Sequence, residues 1–369
     1  MRILHILEAT GGGTRRHVLD LLPQLQRRGA ACSLLYSSLR NPHFRDDAAA
    51  LEKTGIATHE ITMGHGYQRG GDAAALAAVH AHLKTYEYDL IHCHSSNAGL
   101  LGRIANRWSP RPLPIIYTPH YIALAAGLPP LQRRAARWFE KLLAPHTTHY
   151  IAVSHHERAI LQRARLLSAN NATVIHNGVA ANTFSVYDTQ PASGPTIGCF
   201  GRLTAQKNQQ LLLHLLPQLA REFPQVQLLL VGDGENEPLL RSQAKRLNCE
   251  NRVIFRTDRR EAWPDFAECD VVALPSRWEG CSYALLEAMA CGKAIVASNR
   301  GGNPEVLGKT GLLLPAHELN EWQHAITQLL RDPQRRQSLG TAARERVGHY
   351  FRLEAMVEKT LQVYQRILS

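Results

Sequence analysis

The chain has 369 residues, 44% of them hydrophobic and 20% charged, a length and apolar content that suit two buried cores better than one. Its formal charge of +11 sits mostly in residues 1–180, where 20 Lys and Arg face 11 Asp and Glu, against 22 and 20 in residues 181–369. Aromatic residues make up only 7% and no zinc-finger, RNP-like or basic-region motif occurs, which excludes nucleic acid as the expected partner of that charge.

The first residues, Met1 to Glu8, lack the long apolar core of a signal peptide, and nowhere do roughly 18 apolar residues run together as a membrane span needs; a cytoplasmic protein is expected. Residues 2–7 read as a buried strand, 15–28 as a helix with Val18, Leu19, Leu22 and Leu25 on one face, and 31–36 as the next strand. Further strands are expected at 56–61, 90–94, 115–118, 150–153 and 173–176, with helical patterns at 72–86, 98–107 and 155–167. Such alternation predicts a parallel sheet covered on both faces.

The rhythm breaks at Asn177-Gly178 and again across 187–195, which is rich in turn formers, so a first domain over 1–180 and a linker over 181–195 are expected. A second series follows: strands at 196–200, 227–231, 253–255, 271–274, 294–298 and 311–314, with helices near 208–223 and 237–247. This gives a second domain over 196–349. Residues 350–369 are a helix-prone tail expected to cross back to the first domain. The seven cysteines are scattered without C-x-x-C spacing, and reduced core thiols are expected in place of disulfides or zinc.

Chemistry-bearing residues gather on the loops. Gly11-Gly12-Gly13 lies between the first strand and the first helix, where bare backbone can approach a phosphate or sugar or can simply turn. The run is not G-x-G-x-x-G, and Tyr36-Ser-Ser-Leu-Arg40 offers no acid for a ribose, which argues against a dehydrogenase. In the second half, Arg202 and Lys207 lie five residues apart on a loop leaving a strand and could clamp a diphosphate. Farther on, Glu279-Gly280-Cys281-Ser282-Tyr283-Ala284 leads into an apolar helix that carries Glu287 and stops at Gly292. Ser282 can cap that helix, whose first amides attract phosphate. Among the apolar neighbours Ala284, Leu285, Leu286, Ala288 and Met289, a carboxylate at 287 needs a partner. Two carboxylates around a helix N-terminus suit a nucleotide sugar, with hydroxyls at both ends and a diphosphate between them.

Taken together, Gly201-Arg-Leu with Lys207-Asn208, Leu230-Val-Gly-Asp-Gly234, Glu279-Gly280 with Glu287-Ala-Met-Ala-Cys-Gly292, and Gly301-Gly302-Asn-Pro-Glu305 resemble the donor-domain motifs of retaining glycosyltransferases of group 4 with the GT-B fold. In the first half the resemblance continues through Gly11-Gly12-Gly13 with Arg16-His17-Val18, His94-Ser95 with Ala98-Gly99, Tyr117-Thr-Pro-His120, Val153-Ser154 and Ile175-His-Asn-Gly178. It implies an α/β protein of two Rossmann-like domains with a cleft between them. The implied activity moves a sugar, hexosyl or N-acetylhexosaminyl, from a nucleotide diphosphate sugar, first of all a UDP-sugar, to a saccharide or lipid-linked saccharide, in bacterial surface polysaccharide or lipopolysaccharide synthesis.

By the same resemblance Glu279 touches the transferred sugar, Glu287 binds the ribose hydroxyls, Arg202 and Lys207 neutralise the diphosphate, and Gly12, Gly13 and residues 280–284 complete the donor site. His120 is implied to lie near the sugar. Thr14, Arg15, His17 and His94 are the acceptor-side candidates. His92 and His94 are spaced like metal ligands but lack a third partner, and no Asp-x-Asp motif occurs, so neither metal nor other cofactor is expected. Another GT-B activity, such as an epimerase or phosphorylase, and a non-catalytic sugar-binding or scaffold protein are the alternatives.

Residues 129–143 place Leu131, Ala135, Trp138 and Leu142 on one helical stripe, with Arg133, Arg134, Arg137 and Lys141 largely elsewhere. Either this helix lies on an anionic membrane surface, holding the protein at the inner face of the cell membrane, or it packs on its own domain with a solvated basic face.

Overall fold

The computed structural model describes residues 1–64, 71–122, 124, 127, 129–168, 170–180, 194–257 and 263–369. Most of the expected linker, 181–193, and residues 258–262 lie outside the described residues. The chain divides into two compact units, one of Met1–Asn177 with Leu353–Ser369 and one of Gly178–Arg352. Among the described residues no helix is long and apolar enough to cross a membrane.

In the first unit strands and helices alternate: β1 (Arg2–Leu7), α1 (Gly12–Arg27), β2 (Ala31–Tyr36), α2 (Phe44–Glu52), β3 (Ala57–Glu60), α3 (Gly71–Thr85), β4 (Leu90–His94), α4 (Ser96–Arg107), β5 (Ile115–Thr118), α5 (Pro130–Leu143), β6 (His149–Ala152), α6 (His155–Arg163) and β7 (Ala172–Val174). The seven strands are parallel in the order β3-β2-β1-β4-β5-β6-β7. One face carries Leu4, Ile6, Ile91, Cys93 and Tyr117 in an apolar core. The strand alternation sends His5, His92 and His94 to the other face. The first helix begins at Gly12, three residues before its apolar periodicity, because a helix N-terminus can be built from glycine backbone alone.

The second unit runs β8 (Thr196–Phe200), α7 (Gln210–Glu222), β9 (Gln227–Val231), α8 (Glu237–Arg246), β10 (Val253–Arg256), α9 (Trp263–Ala267), β11 (Val271–Leu274), α10 (Tyr283–Ala290), β12 (Ala294–Ser298), α11 (Asn303–Leu307), β13 (Leu312–Leu314), α12 (Leu319–Arg331) and α13 (Pro333–Tyr350). Its six parallel strands follow the order β10-β9-β8-β11-β12-β13. The helix-prone tail is the single helix α14 (Leu353–Leu368), which belongs to the first unit and packs with α1 there. In both sheets the strand order reverses beside the first strand, between β1 and β4 and between β8 and β11, the switch point where open α/β sheets hold ligands.

The basic helix α5 docks through Ala136, Glu140 and Leu143. Leu131, Trp138 and Leu142, 79%, 61% and 56% exposed, turn away from that face, so the apolar stripe is not the packing surface. Arg133, Arg134, Arg137 and Lys141 are exposed along one flank of the stripe. Glu140 reaches inward to Arg103 of α4, whose Nη1 donates at 2.9 Å, with both side chains fully buried. Arg103 Nε donates to Gly99 O at 2.7 Å and its guanidinium lies over the Tyr117 ring, 4.5 Å from the centroid. Gly99 makes this possible: a Cβ there would stand 2.6 Å from the Tyr117 ring. Removing one partner strands the other charge in the interior. Arg103→Met should therefore lower stability by about 3–5 kcal/mol in urea unfolding, and Arg103→Met/Glu140→Leu should recover most of the loss.

Candidate active site

In the second unit, the loops leaving β8 and β11 meet across the switch point. Lys207 Nζ donates to Glu279 Oε1 at 2.5 Å, and both side chains are largely shielded from water. The backbone is stapled on either side of the pair: Gln206 Nε2 donates to Trp278 O at 2.9 Å, and Arg277 N–H donates to Gln206 O at 2.8 Å. Arg202, at the mouth of the same loop, is exposed, and its Nη2 donates to Gln206 Oε1 at 3.3 Å. The loop after β12 closes in from the far side, where Gly302 N–H donates to Glu279 O at 3.0 Å. Gly301 beside it has φ +59° and no room for a side chain, since a Cβ would lie 2.0 Å from that same carbonyl oxygen.

Glu279 thus stands on backbone fixed by three loops. Gly280, Cys281, Ser282 and Tyr283 are buried behind it, and Ala284 and Glu287 are half-buried on α10. Ser282 is the N-cap of α10 in extended conformation, its hydroxyl accepting from Leu285 N–H at 3.4 Å. The helix N-terminus therefore opens beside Glu279, presenting first-turn amides and the positive end of the helix dipole. A shielded carboxylate, two cations and a helix N-terminus at one sheet edge can hold an anionic leaving group next to a group that bears positive charge in a transition state.

In the first unit, Gly12, Gly13 and Thr14 form the first turn of α1. Arg15 is tied to α2, its Nε and Nη2 donating to the two carboxylate oxygens of Asp47 at 2.6 and 2.7 Å. His17 and His94 are buried and His120 is half-buried, and the three lie together with two further imidazoles. His5 of β1 stands opposite His92 of β4 in the sheet register, and its Nδ1 is 3.1 Å from His94 Nε2. His94 Nδ1 is 3.2 Å from His120 Nε2, while His17 Nδ1 is 3.0 Å from Asn177 Oδ1. His92 Nδ1 and Nε2 meet Tyr364 OH at 2.6 Å and Thr118 Oγ1 at 2.8 Å. Two sets, His5 with His92 and His94 and His17 with His94 and His120, bring ring nitrogens within ligand range of one another. The third imidazole beside the His92/His94 pair is His5, which in sequence is one more position in a strand.

His120 and Tyr121 adopt left-handed backbone, at φ 53° and 81°. Non-glycine residues pay for that conformation unless something holds them. Here the buried Glu157 carboxylate accepts from Tyr121 N–H at 2.5 Å, Ile122 N–H at 3.0 Å and Val153 N–H at 2.9 Å. The signal for Glu157 was present in sequence as Ser154-x-x-Glu157, the spacing of a capping box, and Ser154 Oγ does accept from Glu157 N–H at 3.0 Å.

Residues 11–182 match the family described as Glycosyltransferase Family 4, and residues 194–332 match the one described as Glycosyl transferases group 1. A GDP-mannose-dependent monoacylated alpha-(1-6)-phosphatidylinositol monomannoside mannosyltransferase of Corynebacterium glutamicum is 32% identical over 46% of this chain and 47% of its own length. This chain thus spans about half the length of that relative. The UDP-Gal:alpha-D-GlcNAc-diphosphoundecaprenol alpha-1,3-galactosyltransferase of Escherichia coli is 25% identical over 79% of each chain. Among solved structures, Anabaena Alr3699/HepE in complex with UDP-glucose superposes with a TM-score of 0.82 at 26% identity, over 99% of this chain and 100% of that one.

Burial pushes the imidazoles of the first unit away from their charged form: His5 falls to about 3, His17 to about 4, and His92, His94 and His120 lie well below the ordinary value. The unfolded chain, with histidines near 6.5, binds more protons than the native one below that pH, so this contribution is complete above pH 6.5 and is lost as pH falls toward 4. Glu157, raised to about 7 by burial, acts in the opposite sense with a single proton. The thermal unfolding midpoint should therefore drop between pH 7.5 and pH 5, His5 and His17 each contributing about 2 kcal/mol to the loss at pH 5. In a His5→Asn/His17→Asn variant the drop should be visibly smaller.

Proposed function

The chain belongs to glycosyltransferase family 4, the group 1 glycosyl transferases, and from that premise we propose that it moves a hexosyl or N-acetylhexosaminyl group, with retention, from a UDP-sugar to a lipid-linked saccharide of a bacterial surface polysaccharide or lipopolysaccharide. The observation that carries the reading is the Lys207–Glu279 pair across the β8/β11 switch point, with Arg202 and the capped end of α10 beside it. Departure of a nucleoside diphosphate builds negative charge on phosphate oxygens while the sugar becomes oxocarbenium-like. Arg202, Lys207 and the amides at 282–284 offset the first charge, and Glu279 stands by the second. Glu287, at the next turn of α10, takes the ribose hydroxyls. The donor choice is supported by the UDP-glucose complex of the Anabaena neighbour and the UDP-Gal of the Escherichia coli relative's name. The acceptor choice is supported by the lipid-borne acceptors named for that relative and the Corynebacterium one.

Within the first unit, Gly12 and Gly13 are assigned to the donor, His120 to the transferred sugar, and Thr14, His17 and His94 to the acceptor. Arg15, bound to Asp47 through both arms of its guanidinium, acts by holding α1 to α2. The exposed apolar stripe of α5 with its flanking cations suits an anionic lipid surface, where a lipid-linked acceptor would be found.

Glu287→Ala should weaken UDP-sugar binding at least about tenfold by calorimetry, and Lys207→Ala should lower kcat about 10²-fold with turnover persisting in EDTA. Unchanged kinetics in both variants would remove the donor site from this sheet edge. In liposome flotation, wild-type protein should float with vesicles rich in anionic lipid and Arg133→Glu/Arg137→Glu should not; equal flotation would make α5 a structural helix alone.

A further inference from the structure

The imidazoles of the first unit form a line from the sheet interior to the loop after β5. Two nitrogen-to-nitrogen contacts link His5 to His94 and His94 to His120, at 3.1 and 3.2 Å. Each contact holds one proton, and three neutral rings carry three. Two protons fill the contacts, so the third must lie at one end of the line, on His5 Nε2 or on His120 Nδ1.

The ends differ. His5 is fully buried, and its Nε2 has no hydrogen-bond partner. A proton there would be an orphaned donor in a dry interior, a rare and costly state. His120 is half-buried, and no partner for its Nδ1 is found among the described residues, so a proton at that end can be met by water or a ligand. The surroundings keep the line intact. His92, its ring tilted 34° to that of His94 with centroids 4.0 Å apart, has both nitrogens engaged by Tyr364 and Thr118. His17 packs edge-on against His120 at 4.5 Å and is itself held by Asn177.

We propose that His5 and His94 are positioning residues that fix His120 in its Nδ1–H form, so that the loop after β5 presents a neutral hydrogen-bond donor to a sugar oxygen. This rests on the reading that His120 serves the transferred sugar. For His120 to offer a bare Nδ1 as a base, both contact protons must reverse direction and the third must move to His5 Nε2. The buried end of the line thus biases the chemistry of the exposed end. Burial also disfavours imidazolium along the line, which keeps the count at three protons.

The test is nitrogen NMR on the full chain labelled at histidine, with the His120 signals identified by their loss in His120→Gln. Wild-type His120 should show a protonated Nδ1 and a bare Nε2. His5→Leu removes the donor to His94 and should populate the Nε2–H form of His120, lowering kcat about tenfold with donor KM unchanged. His5→Asn, whose amide can still donate to His94 Nε2, should restore both the Nδ1–H form and most of kcat. An Nε2–H form in the wild type, or an unaltered His120 tautomer in His5→Leu, overturns the proposal. A shifted tautomer with unchanged kcat supports the proton line and overturns the role given to His120 at the sugar.

Discussion

A parallel sheet buried on both faces leaves one place for chemistry, the ends of its strands, and the reversal of strand order decides which ends. Both sheets of this chain reverse beside their first strand. In the second unit the loops from the two strands flanking the reversal are joined by Lys207 and Glu279. In the first unit β1 and β4, which flank the corresponding reversal, contribute His5, His92 and His94. Most of the polar side chains of interest therefore converge at two switch points because helices cover everything else.

The two convergences use opposite electrostatics. Around Glu279 charge is concentrated: an ion pair, an exposed arginine and the end of a helix. Around His94 charge is excluded, since burial holds the imidazoles neutral and they satisfy one another by hydrogen bonds. A neutral network can be packed into a core without the large penalty of isolated ions. The Arg103–Glu140 pair shows the other solution, two charges that tolerate burial only together.

Much of this was legible in the sequence. The β/α rhythm located every strand among the described residues within about two residues, a margin expected of pattern reading, because parallel strands are short apolar runs bounded by turn formers. The stretch from Glu279 to Gly292 was readable for the same local reasons: a capping serine, an apolar helix and a glycine stop. The family resemblance and the GT-B fold it implied agree with the matches and the superposed structures. What stayed hidden were relations between distant residues. His5 is unremarkable until β1 pairs with β4, and Tyr364 is unremarkable until α14 lies by the first sheet. The packing face of α5 was hidden too, because its anchor is a carboxylate, Glu140, where hydrophobic periodicity points to Leu131, Trp138 and Leu142. Short helices α2, α9 and α11 carry too little periodicity to be seen.

The Tyr364–His92 bond has a consequence for how the chain is made. The first unit includes Leu353–Ser369, so the face of β1 and β4 that bears the histidines is finished by residues synthesised after the whole second unit. As the chain leaves the ribosome, the early sheet waits with polar side chains on a face that α1 alone does not complete. The later unit, contiguous in sequence from Gly178 to Arg352, can close on itself before the earlier one does. Order of synthesis and order of completion can thus be reversed, and in the interval between them the histidine face stands unfinished.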